Sequence, residues 1–349
     1  MRLYWGTDSL RISRSQRGGI RTDRRTRTLH ILAAALAWAI CLAPSAGDAQ
    51  QPSKIYRLGW LQTAPSSNPI YRDFLDGMHA LGYVEGKNID IVARSAQGQL
   101  DKLPALAREL VEMHPDAIFT GADQGLRAAK DATDTIPIVV VVCDPLDSLI
   151  ASIARPGGKA TGLTCIASEL ASKRLQLMKE LIPSLASVAV LYNPGDHNKL
   201  SEYRQMQNAA QKLGLTLTAF EARSAGEIDK AFADMGDGRF QGLVILTDAL
   251  MVIEEKRLAD LALSKKLPAM FGFREFAEAG GLVSYGASLH EIYRQASGYV
   301  DKILRGADPG SIPIEQPTHF ELVINQKAAK SLGITVPPSL LALSDDVIE

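Results

Sequence analysis

From Lys54 onward, short apolar runs trade places with longer stretches whose apolar residues recur every three or four positions. Five runs in the first half predict strands: YRLGWL (56–61), IDIVARS (89–95), DAIFTG (116–121), IPIVVVVCD (136–144) and ATGLTC (160–165). Five more follow: SVAVLYN (187–193), TLTAFEA (216–222), GLVILTD (242–248), PAMFGF (268–273) and GLVSYG (281–286). Helical spacing lies between most of them, as in Ile70, Phe74 and Met78, or Leu175, Met178 and Ile182. Strand–helix alternation predicts an α/β protein with parallel sheets. The runs at 136–144 and 242–248 are nearly continuous in apolar character, as strands covered on both faces require. Two sets of five predict two similar lobes, repeated in architecture and not in sequence.

Past Gly286, Ile292, Ala296, Tyr299 and Ile303 mark the inward face of a helix over 290–306. A Pro-spaced connector (307–317) leads to a last predicted strand, FELVINQ (320–326), and a helix from near Lys327 to Gly333. Pro337-Pro338 excludes a long helix before Ser339.

The first 49 residues break this pattern and have the layout of an export signal. Arg21, Arg24, Arg25 and Arg27 precede the apolar run 29–44, and Gly47-Asp48-Ala49 sets small residues for cleavage after Ala49. That run is short for a membrane span of ~20 residues. Trp38-Ala-Ile-Cys41 lacks the small residue that precedes a lipidated cysteine, and Arg24-Arg25 lacks the apolar pair of a twin-arginine signal. Beyond residue 49 remain 300 residues, enough for two domains, with 30 Lys and Arg against 36 Asp and Glu. A net charge of −6 argues against nucleic acid or an anionic membrane surface as partner. Cys143 and Cys165 show no metal spacing. Both fall at predicted strand ends, where either one bridge or two buried thiols fits.

In an open parallel α/β sheet, ligands sit beyond the carboxyl ends of the strands. The residues there are Gln62-Thr63, Thr120-Gly121, Cys143-Asp144-Pro145, Asn193-Pro194-Gly195, Thr247-Asp248, Phe273-Arg274 and Tyr285-Gly286. They supply compact hydrogen-bonding groups, aromatics, and glycines that let backbone N–H approach a ligand. Thr120, Asp144 and Asp248 also suit helix capping, Asn193-Pro194-Gly195 suits a turn, and Arg274 suits a surface pair with Glu275 or Glu278. Convergence on one edge in both lobes favours a ligand site. Asp144 or Asp248 would then accept from an amine or hydroxyl, Thr63, Thr120, Thr247 and the Gly121 N–H would hold a carboxylate or amide, and Phe273 and Tyr285 would flank an apolar body. Catalytic patterns are poor: His79, His114, His197, His290 and His319 are scattered, and no GxSxG, HExxH, Walker or GxGxxG motif is present. No enzyme activity, cofactor or metal is expected.

Several blocks are distinctive in combination: DGMHALGYVEGKNIDI (76–91), LPALARELV (103–111), AAKDATDTIPIV (128–139), ASIARPGGKATGLT (151–164), KRLQLMKELIP (173–183), VAVLYNP (188–194), FREFAEAGGLVSYG (273–286), YVDKILRGADP (299–309) and EQPTHFELVINQKAAKSLGITVPPSLL (315–341). With them, the chain from about Arg57 to Glu349 resembles the tryptophan/tyrosine-type family of ABC-transporter substrate-binding proteins. The resemblance implies a type I periplasmic-binding fold, two Rossmann-like lobes joined by three crossovers with a small solute between them. It implies an N-terminal lobe of 50–165 plus 287–313 and a C-terminal lobe of 166–286 plus 314–349, with Cys165 and Gly286 at hinges. Implied partners are a small-molecule solute, an amino acid by first expectation, and a membrane permease, served by a monomeric periplasmic protein. A sensor of the same fold and a periplasmic enzyme are the alternatives. The chain departs from the family pattern at Val142-Cys143-Asp144-Pro145, where a small residue is common in place of Cys143, and in lacking a lipidation site.

Overall fold

The computed structural model describes residues 54–144 and 151–349; the expected export signal, its cleavage position and Pro145 lie outside them. The first half builds β1 (Tyr56–Gln62), α1 (Ile70–Ala80), β2 (Ile89–Ser95), α2 (Leu103–Glu112), β3 (Ala117–Gly121), α3 (Ala122–Ala132), β4 (Ile138–Val142) and β5 (Ala160–Thr164). The second adds α4 (Ala167–Leu181), β6 (Ser187–Tyr192), α5 (His197–Leu213), β7 (Thr216–Glu221), α6 (Ala225–Met235), β8 (Gly242–Ile245), α7 (Ala249–Ile253), α8 (Glu255–Ser264), β9 (Ala269–Phe271), α9 (Arg274–Glu278) and β10 (Val283–Gly286). Then come α10 (Leu289–Leu304), β11 (Glu321–Asn325), α11 (Gln326–Ser331), α12 (Pro338–Leu343) and β12 (Asp346–Ile348).

β1 to β5 form one parallel sheet in the order 2-1-3-4-5. The other sheet runs 12-11-10-9-8-6-7. Read from its other edge, β7-β6-β8-β9-β10 repeats the order of the first sheet, so β6, β8 and β9 occupy the places of β1, β3 and β4. The parallel expectation needs one correction: β11 is antiparallel to β10, and β12, which the sequence pattern does not reveal, pairs parallel to β11 at the edge. β12 has three residues, exposed Asp346 and half-buried Val347 and Ile348, too few for a periodicity to register.

β4 is buried along its whole length, as its unbroken Ile-Val-Val-Val-Val run requires. Over the first sheet, Phe74 stacks on Phe119 with centroids 4.1 Å apart, and Trp60 lies tilted against both. α10 comes from far along the chain yet closes this core. It packs on α1 and seats Tyr293 at 5.8 Å from Phe119 and 6.0 Å from Tyr71.

Three passages connect the sheets. The first leaves β5 through Cys165 and Ile166, and Ile166 holds a left-handed backbone at φ 45°. A β-branched residue adopts that conformation only under constraint. The second leaves β10 at Gly286, where an added β-carbon would overlap the carbonyl oxygen of Gly272. The third runs beside β5, with Glu315 N–H donating to Gly162 and Thr164 N–H donating to Glu315. Buried Arg174 of α4 ties two of them together: Nε donates to the Tyr285 carbonyl at 2.8 Å and Nη1 to the Ala167 carbonyl at 3.2 Å.

Candidate functional site

The carboxyl ends of β1, β3 and β4 face those of β6, β8 and β9 across a cavity of about 60 Å³. Thr63, Asp123, Cys143 and Asp144 line it from the first sheet, and Asp196, Thr247, Asp248 and Phe273 from the second. Tyr71 and Tyr293 form an apolar wall at the edge of the aromatic core. On the same measure a water molecule takes ~10–15 Å³, so there is room for only a few and the lobes stand close together.

Of the residues predicted from sequence, Thr63, Cys143, Asp144, Thr247, Asp248 and Phe273 lie on the cavity wall. Thr120 and Gly121 do not: the Thr120 hydroxyl donates to the Leu61 carbonyl at 2.9 Å, and Gly121 leaves space for the Tyr293 hydroxyl, 2.5 Å from where a β-carbon would stand. Asn193 acts behind the wall, donating Nδ2–H to Asp248 Oδ2 at 2.6 Å and accepting the Gly195 N–H. Arg274 turns to the outer edge of its sheet, pairing with Glu278, Glu321 and Asp346. The pair with Glu278 accords with a surface role; the others come from distant strands. Tyr285 is absent from the lining; its ring packs on Phe320. Cys165 and Gly286 sit at the first two passages, and Cys165 is disulfide-bonded to Cys143 with Cα atoms 4.4 Å apart.

Asp144 and Asp248 are already engaged. Asp144 Oδ1 accepts the Ser168 N–H at 2.8 Å, and its Oδ2 lies 3.4 Å from Lys199 Nζ. Asp248 caps α7 by accepting the Met251 N–H at 3.0 Å while Asn193 holds its other oxygen. Burial still raises the Asp248 carboxyl above its ordinary range, against these hydrogen bonds and the Lys199 charge. Asp196 caps α5 through the Asn198 N–H, and burial pushes it up to about 6 despite nearby Lys199. Lys199 itself is fully buried: burial favours its neutral form, and the charges of Glu202, Asp144 and Asp196 more than offset this, raising it.

Two polar atoms in the wall lack partners. Asp123 Oδ2 accepts from Arg127 Nε at 2.9 Å, but its Oδ1 has none, and neither has Thr247 Oγ1. Both residues are almost fully buried, and they belong to opposite sheets. Buried polar atoms without partners are uncommon; Asp123 and Thr247 line opposite walls, and the Thr247 hydroxyl is turned against Gly272, 2.2 Å from where a β-carbon there would stand. Asp123, Asp196, Tyr71 and Tyr293 are not among the sequence-predicted residues. Asp123 lies two positions beyond β3, past the left-handed turn at Ala122 (φ 62°), and Tyr293 arrives on α10. Among the described residues, no group of three or more His, Cys, Asp or Glu side chains suits a metal ion.

A family model described as ABC transporter substrate binding protein matches residues 62–348. The chain belongs to that family. As a member, it is 26% identical over 272 residues to a tyrosine-binding protein of Clostridioides difficile, a match covering 77% of this chain and 78% of that one. Among solved structures, a conserved domain protein from Vibrio cholerae superposes with a TM-score of 0.79 at 30% identity, over 84% of this chain and all of that one. An ABC domain from Streptococcus pneumoniae in complex with L-Trp gives a TM-score of 0.79 at 25% identity with the same coverage. This substrate-binding protein thus has the two-lobed α/β fold of type I periplasmic binding proteins, and members of its family bind solutes and are not enzymes. No helix of the described residues is long and apolar enough to cross a membrane.

Proposed function

We propose that this chain is the solute-capturing component of an ABC importer. It works outside the cytoplasmic membrane after cleavage behind Ala49, and presents a small solute to a membrane permease as a monomer. The proposed lobes are 50–165 with 287–313, and 166–286 with 314–349. The observation that carries this reading is the cavity walled by equivalent strand ends of both sheets.

A solute that touches both walls binds the closed form better than the open one, and that difference alone shifts the equilibrium toward closure. Micromolar affinity requires about −8 kcal/mol. Two or three charge-assisted hydrogen bonds and one buried ring can supply it after ordering costs. The mixed lining suits an amino acid or a related metabolite with an apolar body, in line with the tyrosine and L-Trp named for its relatives. The test is to denature the purified protein gently, identify any released solute by mass spectrometry, and return it to stripped protein in a calorimeter with X-ray scattering alongside. Saturable binding with a smaller radius of gyration supports the receptor; chemical turnover of the solute overturns it.

A further inference from the structure

Four carboxylates line the cavity, those of Asp123, Asp144, Asp196 and Asp248, and among the described residues no Lys, Arg or His does. Internal partners already serve most of these acids: Lys199 and the Ser168 N–H for Asp144, Asn193 and the Met251 N–H for Asp248, and the Asn198 N–H for Asp196. Asp123 differs. It is 4% exposed, Arg127 occupies its Oδ2, and its Oδ1 has no partner. On the other sheet, Thr247 Oγ1 is also unpartnered, but it is turned against Gly272.

We infer that the solute is recognised through a cationic nitrogen placed on Asp123, and that a carboxylate on the solute is dispensable. The inference rests on the receptor reading above and narrows it to amines with an apolar or aromatic body. A solute ammonium would give the buried Asp123 oxygen a charge-assisted hydrogen bond, whereas a solute carboxylate finds like charges and no basic side chain. Tyr71, Tyr293 and Phe273 cover the body, and aromatic faces favour a nearby cation.

The test is calorimetry on the mature protein with L-tryptophan, tryptamine and indole-3-propionate, which share one ring and differ in charge, and with D-arabinose as a neutral probe. Tryptamine is expected within about tenfold of L-tryptophan, and indole-3-propionate at least ~tenfold weaker than either. Asp123→Asn is expected to weaken both amines at least ~tenfold with an unchanged circular dichroism spectrum. Indole-3-propionate binding as tightly as L-tryptophan overturns the inference whether or not the variant folds, and so does unchanged amine affinity in folded Asp123→Asn. Should no indole bind, the solute released from the purified protein decides: one with a cationic nitrogen supports the inference and one without overturns it. Binding of D-arabinose alone overturns the inference and leaves the receptor standing. No binding, with no solute released, overturns both.

Discussion

Lys199 Nζ lies 3.4 Å from Asp144 Oδ2, and the two residues come from facing lobes, Lys199 from α5 behind β6 and Asp144 from the end of β4. The pair belongs to a buried chain of charge: Lys199 also meets Glu202 at 2.7 Å, and Glu202 meets Arg174 at 3.4 Å. Arg174 in turn holds the carbonyls of Ala167 and Tyr285 at two passages between the sheets. The cavity wall and the hinge therefore share one set of ion pairs. Lys199→Ala would leave Glu202 and Asp144 buried with too little compensation. A loss of about 3–5 kcal/mol is expected in urea unfolding, far beyond an exposed pair such as Lys230–Asp234.

Thr247 separates binding from stability. Its hydroxyl is buried without a partner, which destabilises the solute-free protein, whereas a valine keeps the shape and removes the orphan group. Thr247→Val is expected to raise the stability of solute-free protein by on the order of 1 kcal/mol and to change solute affinity by less than about threefold. Thermal melts without solute and calorimetry with it report the two quantities. A variant that loses both stability and affinity would assign the hydroxyl a structural role.

Strand-end logic reaches this cavity from sequence because parallel α/β topology fixes where a ligand can sit, and β1, β4, β8 and β9 each place a predicted residue on the wall. It does not reach the work those residues do. Asp144 and Asp248 stand in the expected places, yet Ser168, Lys199, Asn193 and Met251 converge on them from other elements, which no local pattern encodes. Arg274 follows a strand end as expected, but β11 and β12 bring Glu321 and Asp346 to its far side. Asp123 and Tyr293 escape for opposite reasons. One sits just beyond an unforeseen left-handed turn, and the other rides on a helix that joins the first sheet only after the chain has built most of the second.

The bridge between Cys143 and Cys165 closes a loop of 22 residues and links the ends of β4 and β5 at the first passage. Of the two states the sequence leaves open, the bonded one is present. By loop-closure entropy such a crosslink stabilises by ~3 kcal/mol. Reductant, or Cys143→Ser with Cys165→Ser, is expected to lower stability by about 2–4 kcal/mol in urea unfolding. The check includes thiol titration of the unfolded protein, with no free thiol expected before reduction.

His290 bridges elements from both lobes and makes stability depend on pH. Its Nδ1 is 2.5 Å from Asp73 on α1, and its Nε2 is 3.6 Å from Glu275 on α9; Arg294 holds the other Asp73 oxygen and Glu278 and Glu255 lie near Glu275. Burial pushes Glu275 up to about 7, because neither of its oxygens has a hydrogen-bond partner. Burial alone would lower His290, but Asp73 and Glu275 outweigh it and raise it. Both groups thus keep protons in the folded state that the unfolded chain gives up. Their contribution is full below about pH 4.5 for Glu275 and about pH 6.5 for His290, and it falls as pH rises through each folded value. Asp73, held below its ordinary value by His290 and Arg294 against the effect of burial, acts in the opposite sense and only near pH 4 and below. Stability from this group of residues is therefore expected to decline between about pH 5 and pH 8. Glu275→Gln, which cannot ionise, should melt higher than the parent at pH 8 and near it at pH 5. Parallel melting curves across that range, or a parent that gains on the variant with rising pH, would mean that Glu275 does not titrate at a raised value there.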